Sequence, residues 1–228
     1  MEEGSRRPPG GRIIVSRNVR SFLVAAFLIV LGQIAGLAVS GPAIAPSDTP
    51  IIVPEKKGTP ISIDGILAPG EWDGAVHFPI SESWEVYLCA DAESLYVGFK
   101  LVKEFTGVAL GEVYIASNGE EFYNLHASGS LAEGLNLFSA GLETAKYQVG
   151  YYKDWESDVG KSEARLFGKE YRIGLKKFTG RPLKFAAAIL AVNRSGRESS
   201  RFPAKFDFGS SAGWAELVLP GGGTRSTG

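Results

Sequence analysis

Residues 95–101 read Leu95-Tyr96-Val97-Gly98-Phe99-Lys100-Leu101. Successive side chains of an extended chain point to opposite sides, so Leu95, Val97, Phe99 and Leu101 share one face and Tyr96 and Lys100 the other. One face is built for a core and the other for a wetter surface, the pattern of a half-buried antiparallel strand.

Outward from this stretch, strand-sized apolar segments recur between turn signals at 61–64, 76–80, 84–90, 110–116 and 122–127. They continue at 135–138, 146–152, 163–167, 170–175, 184–191 and 214–219, and no long 3.6-residue periodicity competes with them. Connections such as Ser117-Asn118-Gly119-Glu120 and Asn193-Arg194-Ser195-Gly196 are turn chemistry. About a dozen short strands favour an all-β, antiparallel β-sandwich of jelly-roll or immunoglobulin-like type over a parallel α/β sheet. The alanine triplet within 184–191 has good helix propensity, yet its apolar neighbours favour a strand.

Ahead of the sandwich, Arg6, Arg7, Arg12, Arg17 and Arg20 lead into an apolar run at 22–39 broken mainly by Gln33. This is the pattern of an export signal, with cleavage expected after Ser40. The run is also long enough to remain as an uncleaved anchor helix across a bilayer core of about 30 Å. In both cases the basic flank stays inside and the rest of the chain is exported to the cell surface or the extracellular space. Pro42, Pro46, Pro50, Pro54 and Gly58 mark 41–58 as an extended spacer. The expected organisation is therefore a signal or anchor at 1–40, a spacer at 41–58, one sandwich at 59–220 and a disordered tail at 221–228.

Twenty-four basic and 25 acidic residues leave a formal net charge of -1, so no uniform field draws the protein to nucleic acid or acidic lipid. The lone Cys89 excludes an intramolecular disulfide and reads as a small buried hydrophobe. Met1 is the only methionine and His77 and His126 the only histidines, which leaves oxygen as the main metal-ligand class.

The stretch from Ile61 through Ile63-Asp64-Gly65 and Pro69-Gly70 to Glu71-Trp72-Asp73-Gly74-Ala75 resembles the opening of family nine carbohydrate-binding modules and related DOMON-like domains. Asp91-Ala92-Glu93-Ser94-Leu95-Tyr96-Val97-Gly98 is similar to that family's acidic turn into a Leu-Tyr-Val strand, and Trp214-Ala215-Glu216-Leu217-Val218-Leu219 to its closing strand. The resemblance runs over about residues 60–219 and implies a sandwich that binds a carbohydrate. It also implies a framework role for Trp72 and Trp214. Asp64-Gly65 and Pro69-Gly70 each suit a tight turn, after which Trp72 folds back as a core plug. Relatives that hold haem make a haem or redox-partner domain the alternative. Methionine ligation would be lost with Met1 on export, leaving His77 or His126 with a lysine as the conceivable axial pair. A structural cell-surface domain without a small-molecule site is the third reading.

Sugar recognition needs flat aromatic faces and planar polar groups, so aromatics in polar surroundings are the candidates. Trp155, between Asp154 and Glu156, comes first, with Tyr152 close by; Trp84 after Ser81-Glu82-Ser83 and the group Asn118, Glu120 and Tyr123 follow. Asp91 and Glu93, or Asp154, Glu156 and Asp158, could supply oxygen ligands to calcium, although the glycine and distal glutamate of a full calcium loop are missing. Arg194, Arg197, Glu198 and Arg201 read as a charged surface loop. Carboxylates are numerous but no acid/base pair stands out, and neither histidine lies in a nucleophile or base motif, so a non-catalytic module is expected.

Overall fold

The computed structural model describes residues 49–103, 107–117, 121–128, 132–139, 146–147, 154–158, 168–178, 182–193, 196–206 and 210–221. All lie in the second of the two units into which the chain divides, Val39–Gly228. The signal or anchor expected at 1–40 and nearly all of the expected tail lie outside them.

Among the described residues every regular element is a strand, and the strands form two sheets. The larger sheet runs β1 (Ile51–Ile52), β13 (Ala215–Val218), β11 (Leu183–Asn193), β5 (Val108–Ala116), β6 (Glu121–Ser128), β7 (Ala132–Ser139) and β8 (Lys146–Tyr147), with β12 (Gly196–Phe202) beside β11. The smaller runs β2 (Val76–Pro79), β3 (Trp84–Ala90), β4 (Ser94–Leu101), β10 (Gly168–Gly174) and β9 (Trp155–Ser157). Every pairing is antiparallel except β1 with β13. The alanine-rich stretch at 184–191 lies wholly inside strand β11.

The alternation at 95–101 fixes the register of the smaller sheet. Leu95, Val97 and Phe99 sit opposite Ala90, Leu88 and Val86 of β3, and Leu95 and Val97 also face Ile173 and Tyr171 of β10. All are buried in one core with Val113, Ile115, Leu125, Phe185, Ala187 and Ile189 of the larger sheet. Each such large side chain contributes about 1.5–3 kcal/mol relative to exposure.

Alternation breaks down in the larger sheet, whose outward side is buried too. Tyr114, Ala116, Phe122, Ala186 and Ala188 form a second apolar cluster with Phe206 and Trp214. The small alanines of β11 let Phe206 and Trp214 pack close, and edge-on aromatic contacts of Trp214 with Tyr114 and Phe122 close the cluster.

Three expectations need correction. Of Arg194, Arg197, Glu198 and Arg201, read as a charged loop, the last three lie in strand β12, opposite Val192, Ala191 and Ala188 of β11, and Arg194 lies outside the described residues. Ile51 and Ile52, read as spacer, pair with Leu217 and Val218, and the next residues cross to the other sheet, where Lys56 N donates to Ala90 O at 2.7 Å. The stretch 61–64, read as a strand, is irregular chain.

That irregular chain is a strap over the outward side of the smaller sheet. Gly65, at φ +82°, makes the turn that lets Asp64 N and Gly65 N both donate to Glu170 Oε2, at 2.9 and 2.8 Å. Trp72 Nε1 donates to Glu170 Oε1 at 2.9 Å. Trp72 is thus a plug as expected, but on the outer side of the sheet rather than between the sheets. Beneath it lie Gly98 and Gly168, whose missing side chains leave room for Leu67 and the Trp72 ring.

Candidate functional site

At one end of the sandwich the turn before β4, the start of β9, the turn after β10 and the chain after β13 enclose a cleft of ≈ 670 Å³. Its lining is Asp91, Ala92, Glu93, Asp154, Leu175, Lys176, Phe178, Leu219 and Pro220. Phe178 and Leu219 are nearly fully buried and form an apolar floor, whereas Glu93, Asp154 and Lys176 are exposed.

The Asp91 carboxylate is held by the turn that follows it, and the main chain at Glu93 and Asp154 is pinned to the end of β10. Asp91 Oδ1 accepts from Glu93 N and Ser94 N at 2.8 and 2.7 Å, and its Oδ2 accepts from Tyr96 Oη at 3.0 Å. Glu93 O accepts from Leu175 N, and Asp154 O from Gly174 N, both at 2.7 Å. A Cβ at Gly174 would lie 1.9 Å from Asp154 Oδ2, so glycine there is what admits the Asp154 carboxylate to the wall.

Such a cleft offers carboxylate acceptors and an ammonium donor over an apolar floor. It suits a ligand with hydroxyls on its rim and C–H groups on its faces.

Two further polar clusters lie elsewhere. On the outward side of the larger sheet, Glu112, Asn124 and His126 are buried; Glu112 Oε1 meets His126 Nδ1 at 2.5 Å and Glu112 Oε2 accepts from Asn124 Nδ2 at 2.5 Å. Burial alone lowers the basicity of His126, but attraction to Glu112 and their hydrogen bond outweigh it and the net shift is upward. At the far end of β9, Lys169 Nζ donates to buried Asp158 Oδ2 at 3.1 Å.

No family model matches the chain, and no curated protein matches it. Among solved structures it is similar to the crystal structure of a "putative carbohydrate-binding protein" from Bacteroides uniformis, at 12% identity and a TM-score of 0.47, covering 75% of this chain and 100% of that one.

The sequence-derived candidates scatter. Trp84 is 1% exposed within the core, so its ring offers no face to a ligand, and the expectation that it binds is corrected. Tyr123 is likewise core, 3% exposed and edge-on to Phe178. Trp155 is half-buried in β9, stacked on Tyr171 with centroids 6.4 Å apart, directly after the cleft residue Asp154. Tyr152, Asn118 and Glu120 lie outside the described residues.

The three proposed calcium ligands in and beside β9 do not converge. Glu156 is held by Arg172 Nε at 2.7 Å, Asp154 lies 4.0 Å from Arg172 Nη1, and Asp158 pairs with Lys169. No group of three or more His, Cys, Asp or Glu side chains with metal-binding geometry occurs among the described residues. His77, the other conceivable haem ligand, is exposed and stacked on Tyr87 at 4.9 Å.

Sequence reasoning named Asp154 and the 91–94 turn, but not Leu175, Lys176, Phe178, Leu219 and Pro220 as their neighbours. Gly174, immediately before Leu175-Lys176, was visible in sequence, but only the pairing of β9 with β10 shows what it makes room for.

Proposed function

We propose that this chain is an exported, non-catalytic binding module whose ligand is a carbohydrate held in the end cleft. The observation that carries this reading is the cleft itself: carboxylates of Asp91, Glu93 and Asp154 and the ammonium of Lys176 over a floor of Phe178, Leu175 and Leu219. Sugars present both surfaces at once, hydroxyls around the ring edge and C–H groups on its faces. Trp155, one residue after Asp154, is half-buried and stacked on Tyr171. Export rests on the basic and apolar residues at the amino-terminal end.

Calorimetric titration of the full chain with soluble oligosaccharides, with and without calcium, tests the proposal. Stoichiometric binding that Asp154→Ala weakens supports it, and binding by none of the sugars overturns it. The visible spectrum of the same sample separates the haem alternative, since a stoichiometric Soret band would replace the carbohydrate reading.

A further inference from the structure

The cleft does not end at its own rim. Two of its wall residues also touch the outward side of the smaller sheet: Asp91 through Tyr96 Oη at 3.0 Å, and Asp154 through Arg172 Nη1 at 4.0 Å. Tyr96 and Arg172 are register partners on β4 and β10, and Arg172 is in turn the partner of Glu156 on β9. The three form one row across the sheet, and Arg172 is 36% and Glu156 37% exposed at the side chain. The row is preorganised, because Arg172 Nε already holds Glu156 at 2.7 Å and a guanidinium has five N–H donors to distribute.

Beyond this row the surface changes. The next outward positions are Gly98 and Glu170, and there the strap stands, with Leu67 and Trp72 over Gly98 and Trp72 edge-on to Tyr87 at 6.2 Å. The Ser94–Gly174 pair at the cleft and the Gly98–Glu170 pair at the strap are four residues apart, about 13 Å at the usual strand rise. A polar and aromatic shelf of that length therefore joins the cleft to the strap.

We propose that the ligand is an extended glycan chain, one end of which occupies the cleft while the following sugars lie on the Tyr96–Arg172–Glu156 shelf as far as Trp72. This deepens the carbohydrate reading and rests on it. The Tyr96 ring gives the chain an apolar contact, and Arg172 and Glu156 give donor and acceptor groups for its hydroxyls.

The experiment is a chain-length series. The full chain is titrated with di-, tetra- and hexasaccharides of β-1,4-linked glucose, xylose and mannose, first as wild type and then as Tyr96→Ala and Arg172→Gln. The expected result is an affinity at least about tenfold higher for the hexasaccharide than for the disaccharide of the bound glycan. Each variant should lose about tenfold on the hexasaccharide and change little on the disaccharide. Equal affinity for both lengths in the wild type overturns the shelf while the cleft reading stands, and needs no variant to fold. Equal losses on both lengths in the variants also overturn it, since the two residues would then act only through Asp91 and Asp154. Binding by no oligosaccharide of any length overturns the carbohydrate reading itself, and this proposal with it.

Discussion

Trp72 and Glu170, 98 positions apart in the chain, meet through a 2.9 Å hydrogen bond from the indole nitrogen to the carboxylate. The same carboxylate takes the backbone N–H groups of Asp64 and Gly65, so one side chain of β10 fastens the whole strap. Removing the indole nitrogen leaves Glu170 Oε1 buried without this donor, and a buried polar atom left unsatisfied costs about 1–3 kcal/mol. Trp72→Phe, which keeps most of the apolar contact on Gly98, is expected to lose stability in that range, read from urea denaturation midpoints. Unchanged stability would mean that the indole nitrogen is not what holds the strap.

Glu170 also makes stability depend on pH. Burial pushes its carboxyl up to about 7, against the three donors that pull it down, from an ordinary value of 4.5. The folded protein therefore holds this proton more tightly than the unfolded chain. The associated stability is fully present below about pH 4.5 and is lost as pH rises through about 7. Denaturation midpoints should fall across that window, and Glu170→Gln should flatten the fall. A midpoint that rises from pH 4.5 to 7 in the wild type and not in the variant would reverse the assigned sign.

Gly98 and Gly168 make a pair of substitutions with different expected severity. A Cβ at Gly98 meets Leu67 Cδ2 at 2.8 Å and the Trp72 ring at 3.0 Å, atoms the strap can shift. A Cβ at Gly168 meets the Phe99 carbonyl oxygen at 2.7 Å as well as Leu67 Cδ1 at 2.8 Å, and backbone cannot swing away. Overpacking costs typically about 1–3 kcal/mol. Gly168→Ala should lie at the upper end and Gly98→Ala at the lower, with faster hydrogen exchange of the strap amides in Gly98→Ala. The reverse order would show that the strap is less yielding than the sheet.

His126 gives a second pH effect of the same sign, separable by mutation. Its basicity is raised in the fold, because Glu112 outweighs the burial that lowers it. The stability it contributes is present below the ordinary histidine range and is lost as pH rises through the raised value. His126→Leu leaves Glu112 buried without its imidazole, and breaking a buried pair in this way costs about 3–5 kcal/mol. Thermal melts at several pH values read both effects, and a variant as stable as wild type would remove the pair from the account.

How much of this was legible follows from which contacts are local. The alternation at 95–101 showed strand β4 and its inward side because strand period is a property of the sequence itself. The same reasoning placed β11 as a strand but could not show that Ala186 and Ala188 lie under Trp214, since that depends on a segment more than twenty residues later folding back. Arg197 and Glu198 hid β12, because an edge strand with exposed charges carries little apolar signal. The turn at Asp64-Gly65 was readable from glycine chemistry, whereas its partner Glu170 looked like any other strand carboxylate. For the cleft, the acidic turn at 91–93 was visible in sequence, but its apolar floor comes from chain ends that only the sheet topology brings together.

Trp84 and Trp155 should separate stability from binding. Both looked eligible for sugar stacking, Trp155 because charged residues flank it and Trp84 because it follows Ser81-Glu82-Ser83 at a strand start. Trp84 is fully enclosed, so Trp84→Ala should cost about 3–5 kcal/mol of stability, the usual penalty for emptying a large aromatic site. Trp84→Phe should cost clearly less: most of the ring volume remains, and among the described residues the indole nitrogen has no acceptor to lose. Neither change should alter the affinity of the protein that still folds. Trp155 keeps part of its ring exposed while packing on Tyr171, so under the carbohydrate reading Trp155→Ala should weaken oligosaccharide binding by about 1 kcal/mol or more through loss of that exposed surface. Calorimetry on Trp84→Phe and Trp155→Ala with the same sugar decides the matter. An affinity lost in the first and kept in the second would move the binding surface away from the cleft, because Trp84 reaches no part of its lining while Trp155 adjoins it in sequence.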